Sequence, residues 1–178
     1  ESTLNEGSRF NVAIAIAPEP PAPPPPAIAA PALARPLSNR ILIDGSPLVL
    51  VAEDNATNIA LVEYFAQMRG CRTVLARNGL EAVEQARAQL PDIILMDVQM
   101  PEMDGLEATR RITQDPLTKR IPIICVTANA LAEDRARCLD AGASAYLSKP
   151  INLEELAAAI VRLLSATRAG RAAGLSPA

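Results

Sequence analysis

The sequence predicts an α/β fold, a doubly wound five-stranded parallel sheet covered by helices on both faces. Two patterns carry that reading. Between residues 47 and 166, short apolar runs take turns with longer segments of helical periodicity. The runs are apolar almost throughout instead of alternating with polar residues, which is the signature of strands buried on both faces under crossover helices.

The elements follow in order. Residues 48–52, 73–76, 93–96, 121–126 and 145–147 are the apolar runs and read as strands. Residues 56–68, 79–89, 106–114, 130–141 and 152–166 carry the helical pattern. Right-handed crossovers and a domain of this size favour the flavodoxin-like strand order 2-1-3-4-5. On the first helix, a wheel at 100° per residue groups Leu61, Phe65 and Met68 as the core face. Ile59, Val62 and Ala66 then form a second apolar stripe, expected to be exposed beside the strand ends as a docking face for a partner helix.

Upstream, the composition changes. Nine of the 16 prolines lie between Pro18 and Pro36, with little but alanine among them. Proline at that density removes backbone donors and favours an extended spacer, so 18–46 reads as a linker. The same prolines break every apolar stretch there, which excludes a membrane helix or signal-peptide core in this segment. Residues 9–17 alternate, with Phe10, Val12, Ile14 and Ile16 on one face, but as a strand they have no partner within their own segment. Residues 167–178 are expected to fray.

Composition narrows the chemistry. The 178 residues include no histidine, which excludes histidine-based metal ligation and Ser-His or Cys-His nucleophile pairs. A net charge of −3 with dispersed basic residues gives no nucleic-acid footprint. Cys71, Cys125 and Cys138 are odd in number and far apart, which suits buried thiols in a reducing cytoplasm better than disulfides.

In an open parallel sheet the reactive crevice lies at the carboxyl ends of the strands, where the strand order reverses. Glu53 and Asp54 follow the first strand, Asp97 the third, Thr127 the fourth and Lys149 the fifth. Three converging carboxylates repel unless a cation separates them, and oxygen ligands without histidine point to Mg2+. Lysine is scarce, two against 15 arginines, and Lys149 stands where an ammonium meets the acidic pocket. Carboxylate nucleophile, hard cation, hydroxyl and ammonium together fit phosphoryl transfer. The loop after the first strand, Ala52-Glu53-Asp54-Asn55, is acidic and lacks the glycines that cradle a nucleotide.

The segments Val-Ala-Glu-Asp-Asn (51–55), Met-Asp-Val-Gln-Met-Pro-Glu-Met-Asp-Gly (96–105), Val-Thr-Ala (126–128) and Tyr-Leu-Ser-Lys-Pro (146–150) resemble the receiver domain of two-component signalling proteins over 47–166. The resemblance implies that Asp97 is the phosphoacceptor, and that Glu53, Asp54, Asp97 and the backbone carbonyl of Gln99 hold Mg2+. It implies that Thr127 moves to meet the phosphoryl group, that Lys149 forms its salt bridge, that Tyr146 turns inward as the switch, and that the Lys149–Pro150 bond is cis. Gln99 and Asn129 match positions that tune dephosphorylation. Residues 1–17, with Gly-Ser-Arg-Phe at 7–10, resemble the end of a histidine kinase ATP-binding domain. The order kinase end, linker, receiver is that of a hybrid histidine kinase, in which the receiver accepts phosphate from phosphohistidine and relays it to a histidine phosphotransfer protein or regulates the kinase in cis. The alternative is a docking or inhibitory module that acts in cis without phosphate.

Overall fold

Five parallel strands form one sheet in the computed structural model: β1 (Leu48–Ala52), β2 (Arg72–Ala76), β3 (Ile93–Asp97), β4 (Ile123–Thr127) and β5 (Ala145–Ser148). Their spatial order is β2-β1-β3-β4-β5, the expected 2-1-3-4-5. Five helices connect or follow them: α1 (Ala56–Met68), α2 (Gly79–Gln89), α3 (Gly105–Gln114), α4 (Ala132–Asp140) and α5 (Leu153–Ala173). The structure describes residues 2–3, 7–8, 43, 45–128 and 131–173.

Successive strand residues point to opposite faces, and the two faces bury different helices. Val49, Val51, Leu95 and Ile124 pack in one cluster with Val62 and Phe65 of α1 and Leu156 and Ile160 of α5. Leu50, Ile94, Met96 and Cys125 pack in the other with Ala82 of α2, Ile112 of α3 and Cys138 of α4. Each large aliphatic group so buried contributes about 2 kcal/mol of transfer free energy. The uninterrupted apolar runs thus reflect a sheet with no wet face. Cys71, Cys125 and Cys138 are all buried and unbridged, as expected.

Side-chain caps set the starts of α1, α2 and α3. Asn55 Oδ1 accepts from the backbone of Thr57 and Asn58, Asn78 Oδ1 from Glu81, and Asp104 Oδ1 from Glu107. Most boundaries shift by one or two residues, and two of the shifts have a plain cause. β4 begins at Ile123, not residue 121, because Pro122 has no N–H for the ladder. Helix α5 continues past residue 166 to Ala173, through a segment rich in the helix formers alanine and arginine.

The chain divides into two units, Glu1–Asn39 and Arg40–Ala178. In the first, Ser2–Thr3 pairs antiparallel with Gly7–Ser8. The alternating segment 9–17 and the proline run lie outside the described residues. In the second, packing begins before Pro47. Ile43 donates its N–H to the carbonyl of Arg69 at 3.0 Å and is buried in the α1/α5 cluster. Among the described residues, no helix is long and apolar enough to cross a membrane.

Candidate active site

The parallel register brings the strand ends to one rim. Glu53 and Asp54 leave β1, Asp97 closes β3, Thr127 closes β4 and Lys149 follows β5. Glu53, Asp97 and Thr127 are buried, whereas Asp54 is exposed. One carboxylate oxygen from each of Glu53, Asp54 and Asp97 lies within 4.8 Å of the others. The site therefore opens to solvent on the Asp54 side and is walled on the Asp97 side.

The Lys149 ammonium bridges the two buried carboxylates, at 2.7 Å from Asp97 Oδ2 and 3.0 Å from Glu53 Oε2. The other Asp97 oxygen, Oδ1, accepts the backbone N–H of Gln99 at 3.1 Å. Lys149 is held in place by its own backbone, whose N–H donates to the Thr127 carbonyl at 2.7 Å, and the Lys149–Pro150 bond is cis. The loop after Asp97 is closed by the Gly105 N–H on the Val98 carbonyl. There a β-carbon on Gly105 would stand 1.9 Å from the Asp97 carbonyl oxygen, so only glycine fits.

Burial pushes the Asp97 carboxyl above its ordinary range. Hydrogen bonds from Lys149 and Gln99 oppose the shift, and the Glu53 charge adds to it. For Lys149, burial acts to lower the pKa, but the bonds to Asp97 and Glu53 outweigh it and hold the ammonium above its ordinary value. One ammonium against three carboxylates leaves net negative charge in a confined space. An all-oxygen donor set of this kind, with two members buried, fits a hard divalent cation such as Mg2+.

Tyr146 lies on β5, half-buried, with the Arg135 guanidinium of α4 over its ring at 5.3 Å. Gln99 is exposed, and its backbone is tied to Asp97. Asn129 lies outside the described residues.

The first helix corrects one expectation. Ile59, Val62 and Ala66 are buried in the core and do not form an exposed docking stripe. Phe65 is buried as expected, but Leu61 is 43% exposed and Tyr64 64% exposed. The phase is set at the amino end, where the Asn55 cap and a bond from Asn58 Nδ2 to Glu53 Oε1 at 3.1 Å orient the first turn. Residues 59, 62 and 66, spaced three and four apart, then face the sheet. Leu61 instead lines a cleft of about 120 Å³ beside the pocket, with Asn58, Lys149, Pro150 and Ile151. The sequence reading missed Asn58. Its signal was a second asparagine three residues after the capping Asn55, at the helix position whose side chain reaches back across the cap.

The response regulator receiver domain family matches residues 49–161. The polar-differentiation response regulator DivK of Brucella anthropi is 44% identical over 105 residues, spanning 59% of this chain and 85% of that protein. The receiver domain of sensor histidine kinase PA1611 from Pseudomonas aeruginosa, solved with a magnesium ion in its active site cleft, is 40% identical with a TM-score of 0.64. The match covers 67% of this chain and 98% of that one. A receiver domain of a signal transduction histidine kinase from Syntrophus aciditrophicus is 35% identical with a TM-score of 0.63, over 67% of this chain and 91% of that one. Receiver domains of two-component systems interact with histidine kinases or phosphotransfer proteins. With the fold, the strand-end chemistry and these relatives in agreement, the chain belongs to the response regulator receiver family.

Proposed function

We propose that this chain is a Mg2+-dependent phosphoryl acceptor and that Asp97 is its nucleophile. One observation carries the reading: a buried carboxylate is held between a backbone N–H and an ammonium, with two further carboxylates within 4.8 Å. Glu53, Asp54, Asp97 and the Gln99 carbonyl would hold the cation. When bound, Mg2+ neutralises charge on the oxygens of the transferring group.

The protein's own groups do the rest. An Asp97 oxygen attacks the phosphorus of a phosphohistidine. The P–N bond breaks as the acyl phosphate forms, and the imidazole leaves with the bonding pair. Lys149, already beside Asp97, follows charge from the carboxylate to the phosphoryl oxygens. Thr127, at the end of β4, supplies a hydroxyl to the phosphorylated state, and its movement gives Tyr146 room to turn inward. Tyr146 is half-buried, with the Arg135 guanidinium over its ring, so an inward turn would give up that contact and bury the rest of the ring. Gln99 and Asn129 set how readily water removes the phosphoryl group.

The donor is a histidine kinase, and the order of a kinase-like segment (1–17), a proline-rich linker and a receiver that takes in Ile43 and α5 to Ala173 favours a hybrid kinase as the parent. Two of the relatives are receivers of histidine kinases, which supports that context. A phosphotransfer protein is the onward acceptor and docks on Leu61, Tyr64 and the cleft beside Lys149, in place of the buried Ile59, Val62 and Ala66. Three free buried thiols suit the cytoplasm.

Amide NMR of the full chain tests the reading, with Mg2+ and then a beryllofluoride phosphoryl mimic, on wild type and Asp97→Asn. Shifts centred on Asp54, Asp97, Thr127, Tyr146 and Lys149 in the wild type alone are expected. A wild-type spectrum unchanged by both additions would favour a phosphate-independent docking module.

A further inference from the structure

We infer that Asn58 is a positioning residue of the acidic pocket, fixing the Glu53 carboxylate in the orientation that serves both Lys149 and the divalent cation. The inference rests on the Mg2+ reading above. Glu53 is buried, so its two oxygens need partners inside the protein. Oε2 has the Lys149 ammonium at 3.0 Å. Oε1 has two donors, the Asn55 backbone N–H at 3.2 Å and the Asn58 side-chain amide at 3.1 Å.

These two donors are not equivalent. The Asn55 bond comes from the backbone of the capping residue, so it survives any side-chain change, whereas the Asn58 bond is lost with the side chain. Asn58 belongs to the first turn of α1, where its own backbone N–H is held by the capping Asn55 oxygen at 3.3 Å. Its amide therefore ties the carboxylate to the helix. Neutrality also matters. A lysine at 58 would compete with Lys149 for Glu53, and an aspartate would repel it, whereas an amide donates without changing the charge of the pocket. Groups that orient a metal-binding carboxylate from behind commonly change affinity for the ion tenfold or more when removed.

A purely structural role for Asn58 forecasts a lower melting temperature once its amide is removed. Alanine is a better helix former than asparagine, so Asn58→Ala should leave α1 at least as stable. Loss of cation affinity without loss of melting temperature then separates the two roles.

The test is a Mg2+ titration of the full chain by amide NMR, with melting temperatures measured in metal-free buffer. It uses wild type, Asn58→Ala, and Asn58→Leu, which keeps the bulk and lacks the donor. The half-saturating Mg2+ concentration is expected to rise about tenfold in both variants, with melting temperatures close to wild type. Saturation at the wild-type concentration in both variants would overturn the inference and leave the Mg2+ reading intact. Parallel losses of affinity and melting temperature in both variants would also overturn it, by making Asn58 structural. A wild type indifferent to Mg2+ overturns the Mg2+ reading and the inference together.

Discussion

The Lys149 ammonium lies 2.7 Å from Asp97 Oδ2, so the proposed nucleophile is ion-paired before any phosphoryl group arrives. The same ammonium holds Glu53, which makes it the counter-charge shared by both buried carboxylates. Its removal has both a structural and a chemical consequence.

Lys149→Met is expected to destabilise the domain by about 2 kcal/mol, by leaving two buried carboxylates uncompensated. The figure is below that for a fully buried pair because the lysine side chain is 25% exposed. Urea denaturation without metal measures it, and Mg2+ should restore part of the loss while phosphorylation stays impaired. Because Lys149 titrates above its ordinary 10.5, its contribution is complete below that pH and lost only as pH rises beyond it. The penalty should therefore be flat from about pH 6 to 9.

Asp97→Asn should behave in the opposite sense. Burial places the Asp97 pKa above its ordinary 3.8, so the folded state binds this proton more tightly than the unfolded chain does. Stability in metal-free buffer then falls as pH rises from about 4 through the folded pKa. The asparagine variant lacks that slope. Its melting temperature should exceed wild type at neutral pH, converge with it near pH 4, and lose its advantage when Mg2+ is added.

At Gly105, a β-carbon would overlap the Asp97 carbonyl oxygen. Gly105→Ala is expected to cost about 3 kcal/mol in urea denaturation as the loop shifts to make room. Gly70→Ala is the control. Its φ is +78° but nothing lies within 4 Å, so it should cost only about 1 kcal/mol.

Substitutions on α1 should divide by face. Val62→Ala and Ile59→Ala remove buried groups and are expected to cost about 2 kcal/mol each, without a specific effect on transfer. Leu61→Ser and Tyr64→Ala should leave stability and phosphorylation by a small-molecule donor unchanged, yet slow transfer with a phosphotransfer protein severalfold. Stopped-flow transfer kinetics beside thermal melts separate the two groups.

The strand ends were legible in sequence because each reactive residue closes an apolar run too short and too apolar to be anything but a buried strand. Asp97 after Ile93 to Met96 and Thr127 after Val126 are the clearest cases. The phase of α1 was not. Ile59, Leu61, Val62, Phe65, Ala66 and Met68 satisfy more than one apolar stripe, and periodicity alone cannot choose between them. The choice is made by Asn55 and Asn58, through bonds to a cap and to a carboxylate that lie outside the helical pattern. Likewise, burial of Ile43 depends on the Arg69 carbonyl, a contact no local motif encodes.

That anchorage of Ile43 sets how the domain is hung. The chain enters the fold at Ile43, beside Arg69 and the start of β2, and α5 runs from the Lys149 side back toward the same end. Both ends of the described domain thus lie at the floor of the sheet, and Asp97 sits at its ceiling. The mouth of the pocket is left to the strand-end loops and the first turn of α1, with the entry at Ile43 and the far end of α5 at the opposite end of the sheet.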